Sequence, residues 1–381
     1  MSYPSVDALQ RTLSEKVFHY ATDQKKASGR ALGTLVEIIT YYTLKSWGLR
    51  DSLAIERALP EFGNPEITHN VEYSLHPVLS RTPSKLSGIT LPLSAAKLRR
   101  HLLEPENAPQ GFEEKDNALL SKDGVVRNAC VIGETDTGLC LVHLNSSKDR
   151  THELTMVELH RHPYAIFECK RVGVEEGMKK GPQTIEKAKQ GAYVARTISS
   201  LQKIRLRDGT VGGVFHRADG TLLHGPYEKL LLEVVASADP EYLRDFILTV
   251  GVVSNHGNWF SAENQNKELK VLAQSYDWLL FLTDNGLSNF ISELLLNPTA
   301  ELAPASEAFL ASYSGKSGKN RFTKVRMDTK ADAVLQNYFR LHARRIESWF
   351  NIITPRRGTL TKLRRELTLL NRKDWKGIYA P

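Results

Sequence analysis

The stretch YAIFECKRV, residues 164–172, sets Glu168 and Lys170 at the end of an apolar run. Successive side chains of a strand point to opposite faces, so Glu168 and Lys170 share one face while Phe167 and Cys169 share the other. A carboxylate and an ammonium on a half-buried strand are expensive to desolvate unless they are paired or bind a metal ion. Such a pair suits hydrolysis of a phosphodiester. The carboxylate holds a divalent cation, the cation polarises the phosphate, and the lysine orients or helps to deprotonate the attacking water. Mg²⁺ wants hard oxygen ligands and usually takes one or two protein carboxylates, so Glu168 needs a second acid nearby. The competing reading is a surface cross-strand ion pair, and the apolar YAIF argues against it.

The preceding strand can supply the second acid. If HRHP (160–163) turns the chain, HELTMVEL runs back along YAIFECKRV and Glu153 to Thr155 fall opposite Glu168. Glu153 and Asp149, at that strand's entrance, are then the candidates, with Glu37 as a third. Asp149 also fits an ordinary turn residue, since Asp favours turns. Two carboxylates at one site repel each other, and a metal ion removes the repulsion.

These residues need elements to position them. SGRALGTLVEIITYYTLKSWG (28–48) has its apolar residues at helical spacing and Gly48 where a helix would end. Gly29, Gly33, Glu37 and Tyr41 are four apart and lie along one face. Two glycines inside a helix cost about 1 kcal/mol each relative to Ala, and would make sense if that face approached another backbone. ITHNVEYSLHPVL (67–79) reads as a strand and PLSAAKLRRHLL as a short basic helix. VVRNACVI, GLCLVHL, HELTMVEL and YAIFECKRV form a β-rich stretch with turns at ETDTG and HRHP. GPQTIEKAKQGAYVARTISSL (181–201) is a helix opened by Pro182. FILTVGVVSN, a helix near 263–275, WLLFLT and a helix at 285–296 continue an alternation that predicts a mixed central β-sheet flanked by helices, α/β in the broad α+β sense.

Taken in order, G-x-x-x-E on a helix (Gly33 to Glu37), an acid, Glu168-x-Lys170 on a strand, and Lys187 and Gln190 on the next helix resemble the PD-(D/E)XK nuclease superfamily. Among its members the size is most like a bacterial type II restriction endonuclease. The resemblance implies Mg²⁺, with Mn²⁺ able to substitute, and cleavage of double-stranded DNA that leaves 5′-phosphate and 3′-hydroxyl ends. Asp149 (or Glu153) and Glu168 would hold the metal, Glu37 would be an accessory ligand, Lys170 would serve the water, and Gln190 would support the site. It also implies a homodimer, because a two-fold protein matches a palindromic duplex. Residues 1–300 would be the nuclease core, with an inserted segment around 50–122 available to contact DNA. A structure-directed repair, recombination or phage nuclease, and an inactive DNA-binding protein on the same fold, are the rival readings.

Composition bounds the alternatives. The chain has 381 residues, a formal net charge of +8 and 41% hydrophobic residues, an ordinary globular balance. The charge is uneven: Lys316 to Lys376 holds 17 Lys and Arg against 5 Asp and Glu, so the remainder is net acidic. That basic, mainly helical region, 301–381, is expected to bind DNA phosphates or to dimerise, with Arg340, Arg344, Arg345, Arg356, Arg357, Lys362, Arg364 and Arg365 as the contact candidates. Its aromatics Tyr338, Phe339, Trp349 and Phe350 are more often core than base-stacking platforms. The three cysteines form no CxxC pair, which fits a reducing compartment and offers no zinc framework. His152, His160, His162 and His256 do not have the spacing of an HNH or zinc site. There is no G-x-x-x-x-G-K-[ST] phosphate loop, so no nucleotide cofactor is expected. No apolar run is long enough to span a membrane, and MSYPSVDALQRTLSEK lacks the pattern of a secretory signal, so the cytoplasm is the expected location, and the resemblance implies that of a bacterium.

Overall fold

A computed structural model describes residues 5–61, 64–103, 111–173, 182–217, 219–257, 266–313 and 320–379. The chain is mixed α/β, built around a six-stranded sheet. Its strands, in chain order, are β1 (Leu53–Glu61), β2 (Asn64–Leu75), β7 (Ala165–Gly173), β8 (Leu248–His256), β9 (Trp278–Leu282) and β10 (Phe350–Thr354), and they also neighbour one another in that order. Strand β2 runs antiparallel to both β1 and β7, β7 to β9 are parallel, and β10 closes the far edge antiparallel to β9. Strands β8 and β9 are apolar on both faces because helices cover both. Helices α1 (Val6–Lys16) and α2 (Gln24–Ser46) pack on one face. Helices α3 (Pro182–Ile198) and α4 (Lys267–Ser275) pack on the other, where Ile185, Ala188, Leu269 and Leu272 meet Val253 and Phe281.

Between β2 and β7 the chain makes a second, all-antiparallel sheet from β3 (Val78–Ser87), β4 (Cys130–Glu134), β5 (Gly138–Lys148) and β6 (Thr151–His160), with Glu113–Glu114 at its edge. This overturns the strand pairing expected from HRHP. Strand β6 pairs with β3 and β5, and the short link after His160 carries the chain across to the other sheet. The strand that lies against β7 is β2, with Ile166 opposite Ser74 and Phe167 opposite Tyr73. The segment expected as an insertion around 50–122 therefore begins with two strands of the central sheet. The close backbone approach expected at Gly29 and Gly33 is also absent: a Cβ at Gly29 would sit an ordinary 3.5 Å from Gln10 Nε2, and one at Gly33 would meet nothing within 4 Å.

The basic region after residue 300 is woven into this core. It contributes β10, and its helices α5 (Thr329–Leu341) and α6 (Leu360–Asn371) bury Tyr338, Phe339, Leu363 and Leu367. Tyr42 Oη donates to Asp332 at 2.7 Å and Trp278 Nε1 to Glu366 at 2.9 Å, linking both helices to early parts of the chain. Among the described residues no helix is long and apolar enough to cross a membrane.

Three histidines are buried without charge. Burial holds His76 and His143 down to about 3 and His162 to about 4, against an ordinary value of 6.5. An unfolded chain would take up protons there that the folded chain refuses, so stability should fall as pH drops below the unfolded value and keep falling until the folded values are reached. Each site costs about 1.4 kcal/mol per pH unit in that window. Calorimetry should therefore find Tm falling steeply between about pH 6.5 and pH 5; a Tm level across that range would show that the three rings are not held neutral.

Candidate active site

Strands β2 and β7 pair only from Leu75–Ala165 to Tyr73–Phe167, and beyond that point the carboxylate of Glu168 takes up the next backbone donor: the Glu72 N–H donates to Glu168 Oε2 at 3.3 Å. Tyr73 and Phe167 alternate with the two acids. Tyr73 Oη donates to the Glu37 carbonyl at 2.8 Å, which anchors α2 against the sheet beside the site. The two glutamates are thus fixed by the register of adjacent strands, 96 residues apart in sequence.

The polar side chains form a chain of alternating charge. Glu168, 1% exposed, lies 2.6 Å from the Lys170 ammonium through Oε1, and His69 Nε2 stands 3.6 Å from the same oxygen. Lys170, 34% exposed, is also 3.8 Å from Glu72 Oε2. The other Glu72 oxygen contacts Lys324, whose ammonium reaches Glu56 at 2.9 Å and Glu37 at 3.4 Å. Lys324 is only 9% exposed, so three carboxylates from β1, β2 and α2 surround one buried cation. Glu56 takes a left-handed φ of +52°, rare for a residue with a side chain, where it stands across from Glu72 between the Ile55–Tyr73 and Arg57–Val71 pairs. A cavity of about 370 Å³ opens over this cluster, lined by Thr34, Glu37, Glu56, Asn320 and Lys324.

The site carries four carboxylates against two ammonium groups. Burial raises the Glu37 carboxyl above its ordinary range, and the Lys324 ammonium works in the opposite direction. Neither Glu72 Oε1 nor Glu168 Oε1 receives a well-directed hydrogen bond, so each is held by charge contact alone. Helix α3 leaves room for Glu168 by presenting Gly191, where a Cβ would come within 3.0 Å of Oε2. Cys169 faces away into the core, where burial pushes its thiol up; it is neither an exposed nucleophile nor a ligand.

Of the residues expected from the sequence, Glu168, Lys170 and Glu37 come together. Asp149 and Glu153 do not lie across from Glu168. Asp149 and Arg150 form the turn between β5 and β6 with φ of +47° and +62°, and Glu153 is exposed on β6, accepting from Ser146 Oγ at 3.0 Å. The acid opposite Glu168 is Glu72. Gln190 is exposed on α3, beside the glycine that touches Glu168. In the basic region Arg345 is committed to Glu293 at 2.9 Å, Arg340 to Asn337 at 2.9 Å, and Arg364 and Lys362 lie 3.7 and 3.9 Å from Glu347 and Glu366. Arg344, Arg356, Arg357 and Arg365 are exposed.

The sequence reading missed Glu72, Glu56, His69 and Lys324. Compared with known proteins, the chain matches no family model, no curated protein and no solved structure.

Proposed function

We propose that the chain is a Mg²⁺-dependent endonuclease of double-stranded DNA, of the PD-(D/E)XK type, and within that class a site-specific restriction endonuclease. One juxtaposition carries the reading: Glu72 and Glu168, buried on neighbouring antiparallel strands, with the Lys170 ammonium between them. The donor set fits a hard divalent cation, since Mg²⁺ takes one or two carboxylates and keeps water for the rest. Buried carboxylate oxygens held only by ammonium contacts and an excess of negative charge favour the same ion. Glu72 and Glu168 would hold it, with Glu37 in support from α2.

When bound, such a cation polarises the phosphate and makes its water a better nucleophile. The chain's own contribution is placement. Lys170, anchored by Glu168 and partly exposed, orients the attacking water and offsets charge gathering on the phosphoryl oxygens. The backbone N–H of Glu72 and the missing side chain of Gly191 fix the Glu168 carboxylate, so that it need not reorganise during reaction. In-line attack on phosphorus would leave a 5′-phosphate and a 3′-hydroxyl. A homodimer would apply two such sites to a palindrome.

Long unmethylated linear duplex, incubated with and without Mg²⁺, tests this. Discrete fragments that require Mg²⁺ and Lys170, judged by the Lys170→Ala variant, are the expected result. A Mg²⁺-dependent smear would replace site-specific cutting by a non-specific or structure-directed nuclease. Salt-sensitive binding without cleavage across duplexes of many sequences would leave only a DNA-binding protein.

A further inference from the structure

A second cavity, of about 580 Å³, neighbours the carboxylate cluster's: the two share Asn320 and Arg326 as lining residues. Its wall includes two short antiparallel strands, Val125–Arg127 and Arg326–Asp328, whose register sets Arg127 directly opposite Arg326. Directly opposed residues have their Cβ atoms only about 5 Å apart, and like charges there are destabilising. Nothing local relieves the pair. Neither guanidinium makes an ion pair or a side-chain hydrogen bond among the described residues, although Arg127 is half-buried.

Two of the three nearby acids are engaged elsewhere. Asp328 caps α5 by accepting from the Lys330 and Ala331 N–H groups, and it lies 3.7 Å from Arg321. Asp123 accepts from Ser121 Oγ at 2.6 Å and lies 3.6 Å from Arg321. Asp116, the remaining acid on the wall, is exposed to solvent. Half-buried Arg127 and exposed Arg326 therefore stand opposed on the wall of a hollow that adjoins the carboxylate cluster, and a phosphate, which accepts planar two-pronged contacts from arginine, would offset their repulsion.

We propose that Arg127 and Arg326 together grip a backbone phosphate of the duplex, next to the phosphodiester presented to Glu72 and Glu168. This rests on the nuclease reading above. It moves the principal phosphate contact from the basic C-terminal helices to the strands at 125–127 and 326–328.

The test measures binding of a short fluorescein-labelled duplex by anisotropy in Ca²⁺ across a salt series, for the wild-type chain, Arg127→Ala, Arg326→Ala and the double variant, with Tm recorded for each. The double variant should bind at least about tenfold more weakly, and its plot of log K against log salt should be shallower by about 0.9 for one phosphate lost. Its Tm should hold or rise, because the like-charge opposition is gone. Unchanged affinity and slope in the double variant, with a wild-type chain that binds, would overturn the grip and leave the nuclease reading standing. Weaker binding accompanied by a fall in Tm would assign the two arginines to the fold instead. A wild-type chain showing no salt-sensitive binding would overturn both readings at once.

Discussion

Replacing Glu72 by glutamine should lower the single-turnover rate of Mg²⁺-dependent duplex cleavage on the order of 10³-fold, and Glu168→Ala should do at least as much. Glutamine keeps the shape of the side chain and leaves the backbone N–H that Glu168 accepts, so the fold of β2 should survive. What it removes is one of the two buried charges beside Lys170. Duplex binding in Ca²⁺ should remain measurable in both variants, because the phosphate contacts lie elsewhere. Asp149→Ala and Glu153→Ala form the contrasting pair. Their side chains sit on a turn and an exposed strand of the second sheet, and both variants should cut within about twofold of wild type, as surface changes generally leave the fold intact. A Glu72→Gln variant that cuts normally, or an Asp149→Ala variant that does not, would place the metal-holding acids on other strands.

Why Glu72 was hidden is a matter of topology. The sequence makes Glu168 and Lys170 legible because an E-x-K on a strand is local, and it makes Glu37 legible because helical spacing puts it in line with Gly29, Gly33 and Tyr41. The elements themselves follow from apolar periodicity, so the helix read at 28–48 and the alternation after 181 appear where expected, whereas the single strand read at 67–79 divides near His76 into β2 and β3 of different sheets. Register across a sheet is not local. An acid expected a short distance before Glu168 lies 96 residues before it, because the chain builds an entire second sheet between two strands that touch. In ITHNVEYSL, alternation shows Val71, Tyr73 and Leu75 on one face and Glu72 on the other; nothing in it reveals that Glu72 is buried as well. Charge counting at 316–376 is likewise blind to geometry. Lys324, Arg321 and Arg345 are basic in the sum but are spent on acids of the chain itself, while Arg344, Arg356, Arg357 and Arg365 are exposed and Arg127, outside that region, pairs with no acid among the described residues. Net charge registers a surplus without saying where it faces.

Lys324→Met should destabilise the metal-free protein and, in the same variant, enlarge the stabilisation gained from a divalent cation. Methionine nearly matches the length of lysine and removes only the ammonium. Glu72 then keeps no cation closer than Lys170 at 3.8 Å, and Glu37 and Glu56 lose the charge that lets three carboxylates converge. Removing one partner of a buried ion pair typically costs about 3–5 kcal/mol, and thermal unfolding in EDTA should show this as a Tm lower by roughly 4–6 °C. A cation that binds only the folded chain adds stability in proportion to the logarithm of its concentration over its Kd. If the ammonium of Lys324 competes with Mg²⁺ for the same carboxylates, its removal tightens metal binding, and titration with Mg²⁺ or Ca²⁺ should raise the Tm of the variant further than that of the wild type. The two readouts separate two roles. Lower stability in EDTA with an unchanged metal-induced shift would make Lys324 a counter-ion of the fold that stands clear of the bound metal. An unchanged Tm in EDTA would remove it from the cluster altogether. The combined result would mean that the chain carries its own cation at the site until the metal arrives, so that loading with metal and assembling the carboxylates are a single event.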